Sequence, residues 1–422
     1  MAASYSSSRR HPPLGARDAQ SAPVVDAKTR VLTRAKEIGF DLVGIADAAP
    51  FLETKRTFVQ RRDSGYLAGW HYPDTVIETN CDPASSLPGA RSIICTATSY
   101  FCDVRPHDPQ APSLHGAVSN YAWGLDYHRV LRRWLEELAC FIRTEFPGTL
   151  CLPCVDTGPL VDRAAAVRAG IGWFGKSANL LTREFGSYVF LAELITTLEL
   201  EPDEPLHANC GQCVECVVRC PTGAILPDGA VDARRCISNL TQAKGIIPRE
   251  WRKAIGSRLW GCDTCQTVCP VNDRKAAARH DEFAPLPQIG VSMDLVAVLT
   301  MTKAQFRQWF GPTAMAWRGK ATLQRNAAVA LGNSQDERAV APLSGALHDR
   351  KPVVRGHAAW ALGELGGEQA QCALRALLTR ESDAWVRDEA LEALGKCSKG
   401  SDIARTARAG NAEGGNHEPR IQ

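Results

Sequence analysis

Eight of the sixteen cysteines fall between Cys210 and Cys269, in short spacings that set thiols side by side. Cys210-x2-Cys213-x2-Cys216-x3-Cys220-Pro221 has the spacing of a bacterial ferredoxin run, whose fourth cysteine ligates the other [4Fe–4S] cluster of a pair. Cys236 stands alone, and Cys262-x2-Cys265-x3-Cys269-Pro270 gives a second, slightly altered run. By the ferredoxin rule Cys210, Cys213, Cys216 and Cys269 hold one cluster, and Cys220, Cys236, Cys262 and Cys265 hold the other. Short CxxC loops reach adjacent corners of one cube, while the cysteine before each proline crosses over and brings the cubes within electron-hopping range. Two Zn(Cys)4 sites are the competing chemistry, since zinc also accepts four thiolates. Zinc ribbons pair two separated CxxC knuckles, however, and have no reason to carry a run that crosses between sites. So many metal-binding thiols suit a reducing compartment.

The other cysteines carry less chemistry. Cys81, Cys95, Cys102, Cys140, Cys372 and Cys397 sit singly in mixed or apolar surroundings and read as buried spectators. Cys151-Leu152-Pro153-Cys154 has CxxC spacing but lies in a strand-like run without a second pair nearby, and reads as core thiols. The densest polar and glycine-rich stretches are Val155–Arg163 and Gly170–Asn179, where glycines permit close backbone approach to a bulky ligand. Gly170–Ser177 satisfies the formal phosphate-loop pattern. Trp173 and Phe174 inside it are nonetheless unsuited to a phosphate cradle, and a parallel-sheet context is lacking.

These residues must be positioned by a chain of 422 residues, long enough for two to four compact units. We read 1–26 as a disordered leader, 27–200 as an α/β domain, 201–285 as the ferredoxin-like two-cluster domain, 286–400 as a helical repeat domain and 401–422 as a disordered tail. In the first domain Asp41–Ala46, Arg91–Thr98, Leu150–Val155 and Tyr188–Thr196 are strand-like. Val130, Leu131, Trp134, Leu135, Leu138, Phe141 and Ile142 mark an amphipathic helix between Asp126 and Phe146, and another helix follows Leu160. Near the C-terminus Arg325–Gly332, Arg355–Gly363 and Arg387–Gly395 repeat an Ala/Leu-rich pattern 30 and 32 residues apart, the sign of a HEAT-like solenoid whose helices end at glycine.

Composition narrows the class. With 45% hydrophobic and 23% charged residues the chain is globular, and 49 basic against 46 acidic residues leave a net charge of +3, too even to indicate nucleic-acid binding by itself. No run approaches the roughly 18 apolar residues of a membrane span, so no membrane association is expected. Arg9-Arg10 hints at an export signal, but no apolar segment follows it. A cytoplasmic location is expected.

Ala122-Trp123-Gly124-Leu125-Asp126-Tyr127-His128, Val155–Arg163, Arg168–Lys176, Phe185-Gly186-Ser187-Tyr188, the double-cluster signature and the HEAT-like tail together resemble epoxyqueuosine reductases. The likeness covers about residues 27 to 395. It implies that 27–200 is a cobalamin-binding catalytic domain resembling that of reductive dehalogenases, taking base-off cobalamin (cob(II)alamin) beside the clusters. It also implies reduction of epoxyqueuosine to queuosine at the tRNA wobble position, with an external electron donor, the anticodon stem-loop as partner and a monomeric enzyme. By motif match Asp156 is the general acid for the epoxide oxygen, a role that calls for a raised pKa such as burial beside a corrin produces. Asp162 is the weaker candidate, better suited to a charge in a first helical turn.

The resemblance also offers Asp156, Lys176, Ser177, Asn179 and Ser238 as cofactor contacts. His128 reads as a helix cap or packing residue, and Arg318, Lys320, Arg325, Arg355 and Arg387 are candidates for an RNA-facing stripe or, equally, for ordinary solvated or interhelical basic residues. Ser119-Asn120-Tyr121 departs from relatives that carry a cysteine beside the cobalt, which leaves a catalytic cysteine in doubt. Two other classes remain: a cobalamin-dependent reductase of a small molecule, which shares the core but has no use for the solenoid, and a ferredoxin-like electron carrier, which has no use for Val155–Lys176.

Overall fold

The computed structural model describes residues 26–104 and 114–397; the expected leader and tail lie almost wholly outside the described residues. The first part is built on a sheet of β1 (Leu42–Asp47), β2 (Ser92–Ser99), β3 (Cys151–Cys154) and β4 (Val189–Thr196), ordered β1-β2-β4-β3. All three pairings are antiparallel, with Leu42 opposite Ala97, and both Ser92 and Cys151 opposite Thr196. Alternating helix and strand signals led to the α/β expectation and left strand direction open. Alternation does not fix strand direction when the connections are long enough to return to either end, and here they return for antiparallel pairing.

Helices cover both faces. α1 (Ala27–Ile38) and α2 (Tyr127–Glu145) pack on one side, and α3 (Asp162–Arg168) with Leu52–Asp63 and Asp74–Cys81 packs on the other. Every residue of β2 is therefore buried, which is why it reads as an apolar run and not an alternation. Pro153 lacks an N–H to give, and its strand β3 lies at the sheet edge where none is needed. In α2, Val130, Leu131, Trp134, Leu135, Leu138 and Ile142 are buried as the spacing predicts. Asp126 is its cap, accepting from the His128 amide, so the His128 ring is left for other contacts.

The cluster segment is mostly loop, with α4 (Ile237–Gln242) directly after Cys236. A small second sheet joins all parts: His115–Val118 lies between Arg258–Trp260, which is parallel to it, and Ser292–Asp294, which is antiparallel. One hydrophobic core continues from Leu259 and Trp260 through Leu295, Leu323 and Leu362 to Cys397. The boundary expected at 285/286 thus crosses a shared core.

The repeats form α5 (Lys320–Asn333), α6 (Pro352–Leu365), α7 (Glu368–Leu378) and a helix over 384–397. Their glycines do not end the first two of these helices as expected. A Cβ on Gly332 would lie 2.8 Å from Ala361, and one on Gly363 2.6 Å from Ala393, so each glycine lets one repeat close onto the next. Three of the repeat arginines take the interhelical alternative. Arg325 is 1% exposed and donates to the carbonyls of Leu240, Thr241, Ala243 and Gly245. Arg355 forks onto Glu381 at 2.6 and 2.8 Å, and Arg387 donates to the carbonyls of Leu378 and Glu381. They staple elements together, a use that the repeat spacing alone could not separate from an RNA-facing stripe. Of the single cysteines, Cys140 and Cys372 are exposed. Among the described residues no helix is long and apolar enough to cross a membrane.

Candidate active site between the thiol quartets and the sheet

The eight thiols separate into two sets that repel one another internally. Burial raises the Cys216 pKa, and the charges of Cys210, Cys269 and Cys213 add to that; burial raises Cys269, with Cys210 and Cys213 adding to it. In the other set burial raises Cys236 and Cys265, with Cys262 contributing to both and Cys220 to the first. By these neighbours Cys269 lies with the first run and Cys220 with the second. Burial would raise Cys220 as well, but the amides of Thr222, Ile225 and Ala224 outweigh it and hold the thiol below its usual value. Amide donors of this kind stabilise a thiolate ligand. The first quartet reaches the surface at Cys213, which is exposed.

The second quartet walls a cavity of about 440 Å³. Cys220, Cys236, Cys262 and Cys265 line it together with Asp156, Asp162 and Tyr127, and Phe190, Leu191, Ile225 and Val231 supply apolar surface. Of the expected cofactor contacts, Asp156, Ser177, Asn179 and Ser238 line this cavity. Asn179 points its amide at the Cys265 sulfur, 3.7 Å away. Lys176 does not line it. Its ammonium donates to the carbonyls of Gly211 and Cys213, both at 2.9 Å, and so braces the turn of the first quartet. The phosphate-loop pattern is likewise put to another use, because Trp173–Phe174 pairs with Leu180–Leu181 as a hairpin and no helix follows Ser177.

Asp156 sits in a left-handed backbone conformation, φ 48°, just after β3. This is a strained position for a side-chain-bearing residue and aims the carboxylate, 54% exposed, at the cavity. Tyr127 Oη donates to its Oδ2 at 3.0 Å, and His128 Nε2 lies 3.1 Å from the same oxygen. His128 Nδ1 is in turn 2.7 Å from Asp126 Oδ1. Tyr127 is stacked on Phe190, with ring centroids 4.3 Å apart and 7° between planes, so the donor is fixed in direction.

The electrostatics invert the expectation for Asp156. The hydrogen bond from His128 holds its carboxyl below the usual range, against burial. Burial would lower the imidazole of His128, but its bonds to Asp126 and Asp156 outweigh that and raise it to about 9. In this arrangement the proton resides on His128. Asp162 is the carboxyl pushed up, to about 7, first by burial and then by the charge of Asp156. Behind it Glu193, fully buried in the middle of β4 with neither oxygen hydrogen-bonded, is raised well above its usual value by burial and by Asp162.

Sequence reasoning therefore missed three groups. His128 was read as a cap, Tyr127 was not singled out, and Glu193 was overlooked although a lone acid inside Val189–Thr196 is a visible irregularity. Ser119, where a cysteine was a possibility, lines the cavity and donates to Asp263 Oδ1 at 2.5 Å.

Comparison with known proteins agrees with this layout. Residues 81–157 match the family "Epoxyqueuosine reductase QueG, DUF1730", residues 209–272 the 4Fe-4S double cluster binding domain, and residues 318–395 HEAT repeats. The epoxyqueuosine reductase of Bacillus cereus is 41% identical over 368 residues, 86% of this chain and 95% of the relative. A crystal structure of an epoxyqueuosine reductase with a tRNA-Tyr epoxyqueuosine-modified stem loop superposes with TM-score 0.83 at 39% identity, covering 88% of this chain and 98% of that one. A Bacillus subtilis epoxyqueuosine reductase whose aspartate-bearing catalytic loop is swung out of the active site gives 0.82 at 39% identity, with 87% and 98% covered. The chain belongs to the epoxyqueuosine reductase family of oxidoreductases.

Proposed function

We propose that this chain reduces epoxyqueuosine in tRNA to queuosine, with electrons entering at the first thiol quartet and moving inward to the second. The reaction takes two electrons and two protons, breaks both C–O bonds of the epoxide, forms a C=C bond and releases water. One observation carries the reading: Asp156, in contact with His128, and the second quartet line one cavity. The eight thiols suit two [4Fe–4S] clusters in number and division. The stem loop bound by the relative supports tRNA as substrate.

The same cavity is our candidate for cobalamin, because an apolar floor at Phe190, Leu191, Ile225 and Val231 meets hydroxyl and amide groups at Ser177, Asn179 and Ser238. Such a lining fits a broad macrocycle with amide-bearing edges. Cobalamin, when bound, supplies a low-potential centre able to pass electrons to the substrate carbon. The chain's own residues manage the proton. His128 carries it at neutral pH, Asp156 accepts it at Oδ2 and presents it to the leaving oxygen, and Asp126 holds the imidazole in line. An acid positioned in this way contributes typically 10²–10⁴-fold in rate.

The test is anaerobic reconstitution with iron, sulfide and cobalamin, followed by mass spectrometry of epoxyqueuosine-containing tRNA. Queuosine should form, and Asp156→Asn should keep cluster and corrin absorbance while turnover falls at least 100-fold. A preparation that holds zinc and no iron, or an Asp156→Asn variant of full activity, would overturn the corresponding half of the reading.

A further inference from the structure

Arg318 stands apart from the stapling arginines. Its guanidinium lies 3.4 Å from the ring centroid of Trp317 and 4.8 Å from that of Trp70, and its Nε is buried with no hydrogen-bond partner among the described residues. The two indoles are themselves stacked, centroids 6.1 Å apart and 29° between planes, yet remain 41% and 54% exposed. Trp70 comes from a loop turned by three left-handed residues, Gly65, Ala68 and Gly69, at φ 73°, 50° and 80°. Ala68 has a side chain to strain there, so the loop is held in shape by its surroundings. One anchor is visible: Trp70 Nε1 donates to Asn239 Oδ1 at 3.0 Å. Asn239 follows Ser238 on α4, and Ser238 lines the cavity. The three side chains thus come from the first domain and the entry to the repeats, and Trp70 ties them to α4 one residue past the cavity-lining Ser238.

We propose that Trp70, Trp317 and Arg318 form a stacking platform for an unpaired nucleobase next to the one that enters the cavity. The inference rests on the tRNA reading above and adds where the neighbouring nucleotide goes. Removing one base from an anticodon loop unstacks its neighbours, and single-stranded bases are held by aromatic faces and by arginine planes. Exposed indole faces accept any base, and a guanidinium without a carboxylate partner is available to the phosphate joined to that base. A peptide ligand has no equal need for two flat rings with a cation between them.

The platform can be read without turnover. The reconstituted enzyme is titrated with an unmodified anticodon stem-loop carrying 2-aminopurine beside the wobble position, whose fluorescence is quenched on stacking. The wild type should quench it, and Trp317→Ala should lose the quench and raise Kd about tenfold, the loss of one stacked base. Turnover at saturating tRNA should be retained, so that KM rises and kcat does not. Trp317→Phe should restore most of the affinity, and Trp70→Leu should weaken binding independently. Arg318→Gln should reduce the salt dependence of Kd by about one phosphate contact. Binding by the wild type without quenching, or unchanged Kd in both tryptophan variants, would overturn the platform while leaving the proposed reaction standing. A wild type that binds no stem-loop would overturn both.

Discussion

His128 and Asp156 show how a proton can be stored in a pair. Because His128 is raised from 6.5 to about 9, the pair's contribution to stability is complete below about pH 6.5 and is lost as pH rises through about 9. His128→Gln should therefore lower Tm at pH 6 and leave it nearly unchanged at pH 10. Its kcat should fall, and the alkaline limb of the wild-type rate profile, expected near pH 9, should disappear. A variant with the wild-type limb would assign that limb to another group. Glu193 works in the opposite chemical sense. A carboxyl raised well above its usual value is neutral in the fold, so its stability contribution is full below about pH 4.5 and declines as pH rises towards the folded value. Glu193→Gln should match the wild type in Tm at about pH 4 and exceed it at pH 8, as scanning calorimetry would show. Neither role was legible from spacing. His128 is 28 residues from Asp156, and only the fold brings an imidazole at the start of α2 to a loop at the end of β3. The cluster cysteines were legible because their partners are mostly close in sequence and the crossing rule covers the rest.

Among the elements, sequence reading worked where a local period decides. The buried face of α2 and the four strands lie within a residue or two of their expected positions, since packing one helix face on a core imposes a 3.6-residue period and the strands stand out as short apolar runs. It did not reach strand direction, and it failed for the repeat glycines, because both depend on what another segment does. The glycines make a graded test. Gly363→Val places atoms where Ala393 already is, and should cost about 1–3 kcal/mol in urea denaturation by forcing the repeats apart. Gly345 lies in the helix Val340–Ala346, and its added Cβ would meet nothing within 4 Å. Gly345→Ala should stabilise by about 0.5–1 kcal/mol through the loss of glycine's backbone freedom in the unfolded chain. Equal effects at the two positions would mean that helix propensity, and not inter-repeat packing, governs both.

At the scale of the whole molecule, the repeats and the cluster segment share a core and are also tied by charge. Glu389, on the helix over 384–397, lies 2.8 Å from Arg252 and 3.1 Å from Arg249, with the Arg252 and Glu389 side chains only 1% and 2% exposed. Burial would raise the Glu389 carboxyl, but the two guanidinium groups outweigh it and hold it ionised. A buried triad need not add net stability over apolar packing, yet removing Glu389 strands the Arg252 guanidinium in a dry site, at a cost of about 3–5 kcal/mol. Because Leu259 and Trp260 of the cluster segment lie in the same core as Leu362 and Val386, that cost should not stay in the repeats. In Glu389→Ala the helical circular dichroism and the visible absorbance of the reconstituted clusters should move to lower urea together, in one transition. Helical signal lost early with cluster absorbance unmoved would mean that the solenoid is an independent unit. The platform beside Asn239 would then be joined to the catalytic cavity only through Trp70.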